Sequence, residues 1–157
     1  MRCVTRALQH VAGGSLGVLL LVLSVTAARA DGPQIAQVKT VSGDVVIVRG
    51  AARLAATRGD PLFEKDTIET GADGSIGITF IDNTVMSAGP NSEVGLEEYR
   101  FDSSNFRGAM LTDIHEGTLS MISGDIARSA PGAMKVKTPK AILGVRGTRF
   151  VIQVRGD

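Results

Sequence analysis

Cysteine is nearly missing from this chain of 157 residues, and tryptophan is absent. The lone Cys3 lies at the extreme N-terminus, so no disulfide and no cysteine-based metal site can form within one chain. Of two histidines, only His115 lies beyond the first thirty positions. With no second histidine or cysteine near it, His115 reads as a surface or cross-strand residue, not as a base or a metal ligand. Aromatic residues are 4% of the chain and do not interleave its basic residues. That argues against a stacking platform for single-stranded nucleic acid. Long runs of helical periodicity are lacking too, and no cofactor motif is present.

What is there begins with a targeting segment. Arg2 and Arg6 precede an uncharged apolar run, Val11 to Val25, and Ala28-Arg29-Ala30 supplies a small-x-small step before Asp31. This is the layout of a secretory signal peptide, with cleavage expected after residue 30. The alternative is an uncleaved anchor, for which the run is short against the ~20 residues of a membrane span. Either way Arg2 and Arg6 stay inside and the domain, residues 31–157, is expected in the periplasm or outside the cell. Without Arg2, Arg6 and Arg29 the domain keeps 14 of the 17 basic residues and all 16 acidic ones, a net charge of −2. Such a near-neutral balance has no electrostatic footprint for nucleic acid.

The domain reads as all-β: about ten short strands separated by Gly, Asp, Asn and Pro. Gly43 to Gly50 is a valine-rich strand. Ile76, Ile78 and Phe80 alternate with Ser75, Gly77 and Thr79, and Asp82-Asn83 turns the chain into a hairpin. Glu93 to Phe101 is read as a strand, with Asp102 to Asn105 as a mobile loop. Leu119 and Met121 alternate, as do Met134 and Val136 against Lys135 and Lys137. In the last strand Thr148, Phe150, Ile152 and Val154 oppose Arg149, Gln153 and Arg155. Glycines at strand starts suggest a β-roll or solenoid-like stack. No fixed period supports a repeat protein, so a compact sandwich stays open.

The search for catalytic chemistry is largely negative. Gly13-Gly14-Ser15-Leu16-Gly17 matches a nucleophile elbow, but it lies in the leader and lacks the strand-to-helix context. Strand alternation separates Asp113 and His115 from Glu116. Asp60, Asp66, Asp73, Asp82 and Asp125 sit beside turn residues, where aspartate makes local hydrogen bonds. Arg155-Gly156-Asp157 spells an adhesion tripeptide outside any constrained loop. From Arg128 onward there are seven basic residues and a single acid, Asp157. A solvated strand face explains this; a patch for an anionic partner is the sharper alternative.

The densest cluster of special residues is Thr138 to Phe150, "TPKAILGVRGTRF". Pro139 ends a strand at Thr138. Ala141 to Leu143 is suited to packing under the domain. Gly144 and Gly147 flank Val145-Arg146, and Arg146 is expected to be buried and paired. This stretch resembles the ending of the FecR domain in its Thr138-Pro139, Gly144-Val145-Arg146-Gly147-Thr148 and Phe150. "VSGDVVIVRG", the Gly59-Asp60, Thr70-Gly71, Asp82-Asn83-Thr84 and Pro90-Asn91-Ser92 steps, and "IHEGTLSMISG" agree in order, over about residues 38–155. The resemblance implies an extracytoplasmic β-domain of cell-surface signalling, in which an anchored regulator passes a contact from an outer-membrane transporter to a sigma factor. Only ten residues precede the apolar segment and the chain stops just past the motif, so this chain is expected not to transduce by itself. No link to iron uptake follows.

Three readings therefore compete. The first is a non-catalytic module that binds an envelope protein, with its membrane contact limited to the signal segment if uncleaved. The second is a structural or glycan-binding envelope module. The third, an enzyme, lacks a convergent polar site. The motif residues are read as structural, with no catalytic, cofactor or metal residue assigned.

Overall fold

Alternating apolar residues produce strands along almost the whole domain, because period two puts every second side chain on one face. The computed structural model describes residues 32–147 and 149–156. The leader read over residues 1–30, Thr148 and Asp157 lie outside the described residues. The elements are β1 (Ala36–Ser42), β2 (Val45–Arg49), β3 (Ala52–Ala55), β4 (Pro61–Leu62), β5 (Thr67–Thr70), β6 (Ser75–Phe80), β7 (Val85–Ala88), β8 (Glu93–Asp102), β9 (Arg107–Ile122), α1 (Asp125–Ser129), β10 (Met134–Thr138), β11 (Ala141–Val145) and β12 (Arg149–Val154). The fold is all-β, as the sequence implies, with twelve described strands in place of about ten.

The strands form one curled sheet in two halves. One half runs β4-β1-β6-β7-β9-β12 and the other β3-β2-β5-β8-β9-β10-β11. Every pairing is antiparallel except that of β9 with β10. Strand β9 belongs to both halves. Its residues Arg107 to Glu116 pair with β8, and Gly117 to Ile122 pair with β12. The halves enclose a single core that includes Ile47, Ile68, Ile78, Met86, Ile114, Leu119, Met121 and Met134.

The handover along β9 happens at Gly117, whose φ of +91° is a left-handed value that other residues rarely adopt. A Cβ there would collide with Ser92 and with the carbonyl of Asn91. Ser92 is held in place by hydrogen bonds. Its hydroxyl donates to the Gly89 carbonyl (2.8 Å) and accepts the Thr118 N–H (2.9 Å). Its own N–H donates to Thr70 Oγ1 (2.8 Å), which donates to the Gly89 carbonyl (2.6 Å). The Thr-Gly and Pro-x-Ser steps of the sequence thus meet in space at the bend of β9.

A second buried knot surrounds Asp82, which is fully buried. Its carboxylate accepts hydrogen bonds from Thr84 Oγ1 (2.7 Å) and the Tyr99 hydroxyl (3.0 Å). Its carbonyl accepts the Asp125 N–H (2.8 Å), and Thr84 Oγ1 accepts the Gly124 N–H (3.0 Å). The β6–β7 turn, with Asn83 at φ +64°, is tied in this way to β8 and to the start of α1. Tyr99 also stacks on Phe80, ring centroids 5.4 Å apart. Burial first, and then the Asp82 charge, push the Tyr99 phenol far above its ordinary value.

Asp66 forms a third buried tie. Arg49 donates to both of its oxygens at 2.8 Å and lies 4.3 Å over the Phe63 ring. The Asp102–Asn105 segment, expected to be mobile, is knitted together. Asp102 accepts from the Ser104 N–H (2.9 Å) and hydroxyl (2.6 Å) and from Asn105 Nδ2 (2.6 Å).

Replacing Gly117→Ala is expected to cost at least about 3 kcal/mol, because both the conformation and the space are denied. Asp82→Ala should cost a similar ~3 kcal/mol by leaving the Tyr99 and Thr84 hydroxyls and the Ile126 N–H without their buried acceptor. Urea unfolding measures both. A phenol whose folded pKa is raised holds its proton where the unfolded chain loses it. Stability is therefore complete below about pH 10 and falls as pH rises above that value. Tyr99→Phe should flatten this alkaline fall in unfolding measurements across that range.

Candidate functional site

The cluster Thr138 to Phe150 spans the last three strands, of which β11 and β12 are edge strands. Strand β10 lies beside the first part of β9, and β11 pairs only with β10. Strand β12 pairs only with the second part of β9. Among the described residues β11 and β12 are therefore unpaired along their outer edges.

The motif residues have separate tasks. Thr138 closes the β10–β11 turn: its Oγ1 accepts the Ala141 N–H (3.0 Å) and donates to the Ala141 carbonyl (3.1 Å). Pro139 is exposed within that turn, where its fixed φ suits the position. Gly147 takes φ +39° between β11 and β12, with open space where a side chain would be. Phe150 is half-buried against the core. Gly144 is exposed, and a Cβ there would meet nothing within 4 Å.

Two expectations for this stretch are corrected. Ala141 to Leu143 does not pack under the domain: Ile142 is 65% exposed and Leu143 43%. Leu143 stands opposite buried Val136 and so faces the core side, but β11 is an edge strand and the side chain is only partly covered. Arg146 is exposed, not buried, and makes no ion pair among the described residues.

Between β11 and β12 runs a seam of about 330 Å³, lined by Leu143, Val145, Phe150, Val151 and Ile152 with Arg146 at its mouth. Val151 is 63% exposed. Of the basic residues of the C-terminal stretch, Arg146 belongs to this lining. Lys135, Lys140, Arg146, Arg149 and Arg155 are exposed and form no ion pair among the described residues. Lys137 differs, since it bonds to Asp113. That hydrogen bond, and then the Asp113 charge, raise its ammonium above the ordinary lysine value.

A second depression of about 590 Å³ lies at the handover of β9, between the ends of β10 and β12. Glu93, His115, Glu116, Thr138, Lys140 and Arg155 contribute to it. Alternation along β9 places His115 apart from Glu116. A bulge overrides that: Glu93 stands opposite Glu116 and Val94 opposite Ile114, so His115 is the extra residue and turns toward the same depression. His115 Nε2 is 3.9 Å from Asp113 Oδ2 and half-exposed. No group of three His, Cys, Asp or Glu among the described residues is arranged to hold a metal ion. No described helix is long and apolar enough to cross a membrane.

His115→Ala is expected to change stability by no more than about 0.5 kcal/mol, as for other surface positions. Urea unfolding checks this, and a larger loss would show that the bulge depends on the imidazole.

Among known proteins, the family model described as FecR protein matches residues 66–157, from the end of the β4–β5 turn through all of β12. That family takes part in cell-surface signalling and regulation, in association with the periplasm and its membranes, and is not known for enzymatic activity. No curated protein and no solved structure matches the chain.

Proposed function

The chain belongs to the FecR family, and on that premise we propose that it is a non-catalytic extracytoplasmic module that binds an envelope protein in cell-surface signalling. Residues 1–30 act as a signal peptide and are removed; residues 31–157 form the working domain. Of the motif residues, Thr138, Pro139, Gly147 and Phe150 shape its C-terminal strands, none is catalytic, and the exposed Arg146 is available to a partner.

The observation that carries this reading is the exposure of Ile142 and Val151 on strands with unpaired edges. Large apolar side chains that stay in water beside open strand edges are a hazard unless a partner covers them. A second reading, a structural or glycan-binding envelope module, is favoured by the exposed cations Lys135, Lys140, Arg146, Arg149 and Arg155, which form no ion pair among the described residues. Such binding would weaken steeply with salt.

Cross-linking of the tagged chain in intact envelopes, followed by mass spectrometry, tests the choice. Recovery of a transporter or an anchored regulator is the expected result. Recovery of wall material alone, released by salt, would overturn it in favour of the second reading. Ile142→Lys with Val151→Lys should leave stability within about 0.5 kcal/mol, since both side chains are already solvated. The same pair should abolish protein recovery in the cross-linking measurement.

A further inference from the structure

The two halves of the sheet share β9 but part company at the C-terminal edge, where β11 and β12 face each other without pairing. The gap is lined by Leu143, Val145, Phe150 and Ile152, of which only Val145 is buried. Both strands offer backbone donors and acceptors toward it or along its rim. Strand β11 has five residues and β12 six, a length suited to one added strand.

The rim is charged with one sign. Arg146 belongs to the seam's lining just past the end of β11 and Arg149 opens β12, both exposed and without a carboxylate partner among the described residues. Two copies of this chain docking edge to edge would bring these cations together, which disfavours self-association. An incoming strand with carboxylates meets the opposite situation.

We infer that the seam between β11 and β12 receives an extended segment of another protein, in which apolar residues alternate and carboxylates flank them. The inference rests on the partner-binding reading and specifies the partner's chemistry. The segment pairs with a free strand edge, its apolar side chains cover Leu143, Phe150 and Ile152, and its carboxylates bond to Arg146 and Arg149. Main-chain pairing supplies affinity and the alternating side chains supply register.

The test uses the full chain and three synthetic peptides. The probe alternates valine and threonine and carries glutamates at both ends. One control replaces the glutamates by lysines, and the other replaces the valines by threonines. Amide shifts in nitrogen-15 spectra should map the probe to β11 and β12, with neither control bound. Arg146→Glu together with Arg149→Glu should weaken the probe about tenfold or more while leaving the thermal midpoint unchanged. Val151→Thr, which alters no charge, provides a second check and should leave the cationic rim's preference for glutamate over lysine intact. Absence of probe binding, equal binding of either control, or shifts confined to other strands would overturn the inference. A transporter or regulator recovered from envelopes as well by the doubly substituted chain as by the native one would also overturn it, while leaving the partner-binding reading standing.

Discussion

The contact between Ser92 and the bare backbone of Gly117 is the constraint on which the rest of the architecture depends. A strand of sixteen residues is long for a small domain. Left straight, β9 would outrun any single sheet. Its turn at Gly117 lets the first part pair with β8 and β10 and the second with β7 and β12, so one strand serves two halves around one core. The bend requires a residue with φ +91° and no side chain, and Ser92 fills the space that a side chain would have taken. Thr70 in turn holds Ser92, which links β5 to the same point.

The Asp82 knot does the corresponding work at the far end. It joins the β6–β7 turn to Tyr99 of β8 and to α1, where Ile126 is fully buried. Burying a carboxylate is costly unless its oxygens are satisfied. Here a hydroxyl, a phenol and backbone N–H groups satisfy it. The short sequence steps that resemble the family are thus mainly devices for holding one spine in place. The edge, where β11 and β12 are anchored on one side only, takes no part in either knot.

Much of this could be read from residues alone, and the reasons are physical. Alternation is local, so Ile76, Ile78 and Phe80, or Met134 and Val136, identify strands and their inner faces without knowledge of the neighbours. The Asp82-Asn83 turn is likewise local. What escaped depends on topology. Ala141 to Leu143 is apolar, and apolar runs are usually inside, but whether a strand lies at an edge is decided by pairing order. Arg146 followed the same fate. The bulge at His115 needs one residue more on β9 than on β8, which a single strand's pattern does not reveal. The helix α1 has only five residues and is fixed by the Asp82 carbonyl, a contact across more than forty positions. Of the candidate site, the cluster's position was legible and its exposure was not.

A rigid spine, β9, thus carries an open seam at the C-terminal edge. Amide hydrogen exchange on the isolated full chain measures the spine and the seam at once. Amides of β9 should exchange only with global unfolding, while those of β11 that point away from β10 should exchange nearly as freely as a loop. Protection of those outward β11 amides as strong as that of β9 would contradict this, because the edge would then be closed already and no strand could be added there.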